Sequence, residues 1–152
     1  IVTVGVVSAP ALGRRWWAAR GHGAFVNGVL APTGPLQVSG VRAIADASIA
    51  VSDVKLADDD RLRAATAAIE RDAWRMRGYG DFWMHMLVAE GRLDAAAEPE
   101  LSLWDIAALV PIVQEAGGRL TGFAGESWLQ AGCAITTNAV LHEQVLAALH
   151  AK

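Results

Sequence analysis

The hydropathy pattern of the chain changes at Gly80, and that change limits what it can fold into. Before Gly80, short β-branched and aromatic runs follow one another at tight-turn spacing. Residues 1–8 read as a buried strand closing at Ser8-Ala9-Pro10, residues 15–20 as a second strand carrying Trp16 and Trp17, and residues 24–26 as a third ended by Asn27-Gly28. Asn-Gly supplies the positive φ values of a tight turn, so these runs predict an antiparallel meander. Gly34-Pro35 and Ser39-Gly40 mark a loop, and Gly21-His22-Gly23 a turn. Residues 48–52 read as a strand, Asp58-Asp59-Asp60 suit a helix N-terminus leading to about Arg71, and residues 74–77 are short and extended.

After Gly80, helix and strand patterns alternate. Residues 82–90 are apolar around most of the circumference and stop at Gly91, as expected of a buried helix with a glycine cap. Residues 93–97 form a compact strand, and 103–116 a helix ending at Gly117-Gly118 in which Pro111 predicts a kink. Strands at 119–121 and 134–137, a turn at Gly122-Phe123-Ala124-Gly125 and a helix over 139–149 complete the pattern. An α/β chain of alternating layers is expected, with part of an antiparallel sheet on the N-terminal side and a mixed sheet after it.

Composition excludes several function classes. The 13 basic and 16 acidic residues leave a net charge of −3, too little positive field for a nucleic-acid partner. The longest apolar stretches, such as residues 106–113, fall far short of the roughly 20 residues that span a bilayer, so no membrane partner is expected. Cys133 is the single cysteine; it allows no intramolecular disulfide and no zinc cluster, which fits a reducing, cytoplasmic setting. The chain opens in mid-strand at Ile1 with no polar lead-in, so residues upstream are expected, together with covering partners for its 53% apolar residues.

Five residues stand out as site candidates. Ser102 precedes Asp105 by three positions, which is the spacing of a capping box. A carboxylate held rigidly on a first helical turn is equally suited to a hard cation such as Mg²⁺. Asp94, Glu98 and Glu100 cluster nearby; Glu98 precedes Pro99 and is either a solvated strand end or, at the carboxyl end of its strand, a group placed to bind a cation. Arg77-Gly78-Tyr79-Gly80-Asp81 is either a turn with Asp81 as N-cap or a ligand loop. In the second case Gly80 admits a ligand close to the backbone, Arg77 pairs with phosphate or an acidic neighbour, and Asp81 takes an ammonium. The histidines are scattered, with His85 read as a packed helix residue, and Cys133 reads as a structural thiol. Trp104 and Trp74 are expected to pack, while one ring of Trp16-Trp17 points outward, toward a dimer partner or over a ligand.

Taken in order, Gly91-Arg92-Leu93-Asp94-Ala95, Trp104-Asp105-Ile106-Ala107-Ala108 and Glu115-Ala116-Gly117-Gly118 resemble the C-terminal signature of the inositol monophosphatase family of Mg²⁺-dependent phosphatases. Gly5 to Pro10 and Gly23 to Gly28 look like its strand and hairpin segment, which extends the resemblance over essentially the whole chain. Arg77, Gly80-Asp81-Phe82, Leu87 to Arg92 and Glu98-Pro99 look most like the histidinol-phosphatase branch, which carries an acidic residue after the glycine. Histidinol phosphate has an ammonium and an imidazole for Asp81 and Glu98 to pair, whereas inositol hydroxyls do not need two carboxylates.

The resemblance implies a phosphomonoester substrate, Asp105 as a Mg²⁺ ligand, Arg77, Gly80, Asp81 and Glu98 at the substrate end, and in-line attack by a metal-activated water without a covalent protein nucleophile. Homodimers are common in the family. Its Gly-Glu-Glu and Asp-Pro-Ile-Asp-Gly-Thr metal-binding motifs occur nowhere in the 152 residues. The chain therefore reads as the C-terminal portion of one phosphatase unit, inactive by itself. The rival expectations are an inositol-1-phosphate or broad sugar-phosphate phosphatase, and an inactive dimerisation or binding module.

Overall fold

A computed structural model describes residues 1–28, 31–32, 34–52 and 60–150. Strands β1 (Val4–Ala9), β2 (Arg14–Ala19) and β3 (Ala24–Asn27) form the expected antiparallel sheet in sequence order. Register pairs Val6 with Trp17 and Trp16 with Val26. Because side chains alternate across a strand, Trp16 is fully buried while Trp17 is 37% exposed and stacks on Phe25.

The second sheet is mixed, in the order β5 (Arg75–Gly78), β4 (Ser48–Val51), β6 (Ala95–Glu98), β8 (Ala134–Thr137), β7 (Arg119–Thr121). β4 runs parallel to both β5 and β6, and β8 runs antiparallel to β6 and β7. Helices α2 (Asp81–Ala89) and α4 (Leu109–Glu115) lie between the two sheets; α1 (Asp60–Asp72) and α6 (His142–Leu149) pack together on the outer face of the second. Both faces of the second sheet are buried: Ile49 and Val51 join the core under α6, and Ala50 between them packs with Met84 and Val88 of α2. Gly5 is required where β1 crosses α4, since a Cβ there would collide with the carbonyl oxygen of Ala108.

Several boundaries differ from expectation for identifiable reasons. The helix predicted over 103–116 is two, α3 (Leu103–Ile106) and α4, separated at Ala107-Ala108. Pro111 cannot donate to the carbonyl four residues back, and its ring crowds that turn. The first strand begins at Val4 rather than at residue 1, and the last helix begins at His142, after Ala139 adopts a φ of 68°. A short helix α5 (Trp128–Ala131) was not anticipated. Asp58 and Asp59, read as a helix start, lie outside the described residues. The packing expected of Trp74 and Trp104 is corrected: they are 64% and 82% exposed. No helix among the described residues is long and apolar enough to cross a membrane.

Candidate functional site

The carboxyl ends of the parallel strands β4, β5 and β6 come out on one side of the second sheet, where open α/β sheets bind ligands. Each end carries a polar group. β4 is followed by Ser52, β5 leads through Tyr79-Gly80 into Asp81, and β6 ends on Glu98. Val51 lies opposite Ala97, so the next residues, Ser52 and Glu98, are neighbours, and the Ser52 hydroxyl donates to Glu98 Oε1. Glu98 is buried.

In front of these strand ends is a cavity of about 250 Å³. Asp81, Phe82 and His85 of α2 form one wall, Glu98, Glu100 and Leu101 another, and Asp105 and Leu109 close it. Three of the five expected site residues therefore meet in one place. Asp105 is exposed, and its Oδ2 accepts the Ser102 backbone N–H at 2.9 Å, so the capping box predicted from the spacing is formed. The cap fixes the carboxylate in orientation on α3, which is compatible with a metal-ligand role for its other oxygen. Asp81 is the first residue of α2 rather than its N-cap, a position held by Gly80, and it has a φ of 55°. That left-handed conformation is costly for a residue with a Cβ and is tolerated best by Asn and Asp; such strain gathers at functional sites.

The other two expected residues stand at the margin. Gly80 has ordinary extended backbone, and a Cβ placed on it would meet nothing, so open space adjoins the backbone there. Arg77 is exposed near the end of edge strand β5, donates to the Met76 carbonyl at 2.8 Å and does not line the cavity.

Two groups at the site escaped the sequence reading. Ser52 is legible as a partner of Glu98 only once the strand register is known. His85 does pack, as expected, but it also lines the cavity. Its Nδ1 lies 2.8 Å from Thr136 Oγ1 on β8, and burial lowers its pKa from the ordinary 6.5 to about 4, leaving the ring neutral at physiological pH. Asp94, by contrast, is structural: it accepts the Ser39 hydroxyl at 2.5 Å and the Ser48 N–H at 2.6 Å, tying the loop before β4 to the sheet. Burial raises the pKa of Cys133, which disfavours the thiolate a nucleophile needs.

The chemical character of the cavity is acidic with an apolar body. Four carboxylates line it beside Phe82, Leu101 and Leu109, and among the described residues no Lys or Arg lines it. The four carboxylates are hard oxygen donors and suit Mg²⁺ rather than a soft metal. Among the described residues no group of three or more His, Cys, Asp or Glu side chains is arranged to hold a metal ion, so Asp105 is at most part of a ligand set.

The inositol monophosphatase family profile matches residues 1–152. The chain is 48% identical over 147 residues to the histidinol-phosphatase of Streptomyces coelicolor, covering 97% of this chain and 55% of that protein. It is also 48% identical over 151 residues to the histidinol-phosphatase of Mycobacterium tuberculosis, covering 99% and 58%. The chain thus spans a little over half the length of these relatives. Among solved structures, it superposes on a Thermotoga maritima inositol monophosphatase with a TM-score of 0.82 at 28% identity, covering 97% of this chain and 56% of that one.

Proposed function

The chain belongs to the inositol monophosphatase family, and from that premise we propose that the protein it forms is a Mg²⁺-dependent histidinol-phosphate phosphatase of histidine biosynthesis. The observation that carries the proposal is the acidic cavity, in which Asp81, Glu98, Glu100 and Asp105 converge on one volume with apolar walls. Such a cavity attracts an ammonium and accommodates a heteroaromatic ring, and it repels a bare phosphate dianion. A phosphomonoester substrate therefore needs a cation at its phosphate end. When bound, Mg²⁺ supplies that neutralisation and the activation of a water for in-line displacement.

The chain's own residues divide the remaining work. Asp105, oriented by the Ser102 N–H, would be one of the groups that hold the metal. Glu98, held by Ser52, and Asp81, at the strained start of α2, orient the amine-bearing end of the substrate. Phe82, Leu101 and Leu109 exclude water from its body. In this reading Gly80 leaves room for the ester beside the backbone, and Arg77, exposed near the end of β5, adds a long-range attraction for phosphate.

The active unit is longer than this chain. Its remaining metal ligands come from the Gly-Glu-Glu and Asp-Pro-Ile-Asp-Gly-Thr motifs expected upstream, consistent with Asp105 having no complete ligand set among the described residues. The same reading makes the protein a cytoplasmic homodimer, for which the single half-buried Cys133 and the partly exposed Trp17 are the supporting features.

Asp81→Asn in the full-length protein tests the assignment. Removing the charge while keeping the shape should raise KM for histidinol phosphate about 10-fold and leave turnover of inositol 1-phosphate within about 2-fold. Equal effects on both esters would contradict an ammonium contact and favour an inositol- or sugar-phosphate enzyme.

A further inference from the structure

His85 is the one histidine at the cavity, and nothing in the mechanism above uses it. Its ring is fully buried in the inner wall, with Nδ1 engaged by Thr136 Oγ1 at 2.8 Å. Its Nε2 is buried and has no hydrogen-bond partner among the described residues. The contrast with the chain's other fully buried histidine is direct: His142 has Nε2 3.0 Å from Thr121 Oγ1 and Nδ1 3.0 Å from Thr137 Oγ1, so both of its ring nitrogens are satisfied. A buried polar atom without a partner costs free energy that a purely structural side chain has no reason to incur, and a leucine or methionine would fill the same place without it. The unused nitrogen belongs to a ring that forms part of a ligand-sized cavity wall.

We infer that His85 is a specificity-determining residue, whose Nε2 accepts a hydrogen bond from a nitrogen donor of the substrate at the floor of the cavity. The inference rests on the histidinol-phosphate reading and deepens it. In the tautomer with Nδ1–H donating to Thr136 Oγ1, Nε2 carries the lone pair and adds an acceptor to the four carboxylates that line the cavity. That lining matches a ligand whose inner end consists of donors, either an ammonium or a heteroaromatic N–H. A neutral ring also leaves the attraction of the carboxylates for a cation undiminished, and burial keeps this ring neutral. A polyol offers hydroxyls that donate and accept equally and gains less from a floor rich in acceptors.

The test uses the full-length protein with Mg²⁺ and two esters, histidinol phosphate and inositol 1-phosphate. His85→Leu deletes both nitrogens at similar bulk, and His85→Gln returns an amide oxygen near the position of Nε2. The expected result is that His85→Leu raises KM for histidinol phosphate about 10- to 100-fold, with kcat and both inositol 1-phosphate constants within about 3-fold, and that His85→Gln recovers most of the loss. An unchanged KM, an equal shift for both esters, or no recovery in the glutamine variant overturns the inference.

If either variant fails to fold, ring ¹⁵N NMR of the wild-type protein decides. The His85 Nε2 resonance should move on addition of histidinol phosphate and stay in place with inositol 1-phosphate; a resonance indifferent to both overturns the inference. Absence of histidinol-phosphate turnover by the wild-type protein would instead bring down the parent reading and this one with it.

Discussion

Two acidic regions of the molecule put the same functional group to opposite uses. Between the two sheets, at the end of α2, the fully buried Glu90 carboxylate lies 2.9 Å from Arg14, 2.9 Å from Arg92 and 2.6 Å from the Trp16 indole N–H. It links the first sheet to the helix layer. Glu115 does similar work at the opposite end of β2, where the N–H groups of Gly21 and Gly23 donate to its two oxygens, pin the β2–β3 turn and hold its carboxyl below the usual range. At the cavity, Asp81, Glu98, Glu100 and Asp105 face a shared volume that no Lys or Arg lines among the described residues. Carboxylates that hold the fold are matched by donors from fixed elements, whereas those at the cavity gather negative charge around one volume in which a ligand can sit.

Substitution in each region should separate these uses. Glu90→Ala removes a buried charge and strands Arg14, and should cost about 3–5 kcal/mol in denaturant unfolding. A loss below about 1 kcal/mol would mean that the cluster is not holding the layers together. Asp105→Asn should leave the unfolding midpoint nearly unchanged, because an asparagine oxygen can still accept the Ser102 N–H, while lowering kcat of the full-length protein about 100-fold or more. A variant that loses stability but keeps activity would return Asp105 to a purely capping role.

The buried histidines sharpen the contrast through pH. Burial lowers both His85 and His142 to about 4, with Arg119 a secondary cause for His142. The unfolded chain takes up these protons near 6.5 and the folded chain only near 4. Stability is therefore complete above pH 6.5, falls as the pH drops between 6.5 and 4, and levels off below that. Unfolding at pH 7 and pH 5 should differ by about 2 kcal/mol for each histidine. The difference should shrink in His142→Gln, and a pH-independent midpoint would show that neither ring is neutral by burial.

The sequence alone conveyed the order of elements after Gly80, the antiparallel meander before it, and as site residues three of the four carboxylates that meet at the cavity. These are local signals: turn residues, periodicity and the Ser102–Asp105 spacing each act within a few positions. What stayed hidden depends on pairings between distant segments. The parallel register that sets Ser52 against Glu98, and the packing that turns His85 toward Thr136, join residues 46 and 51 positions apart. Glu90 looked like a helix end because Arg14 and Trp16 lie more than 70 residues away. Trp104 misled in the other direction: apolar neighbours along a helix suggested burial, but a helix of one turn ending at Ile106 leaves that ring outside. Arg77 carries a charge suited to phosphate but sits on an edge strand outside the cavity lining.

On the proposed function, the acidic cavity selects an amine-bearing phosphomonoester and turnover requires Mg²⁺. The most direct measurement is phosphate release from histidinol phosphate and inositol 1-phosphate, with Mg²⁺ and with EDTA, by the full-length protein and by the isolated 152-residue chain. The expected result is Mg²⁺-dependent release by the full-length protein, at least about 10-fold faster per unit concentration from histidinol phosphate, and none by the isolated chain. Release that survives EDTA, or a preference for inositol 1-phosphate, would contradict it.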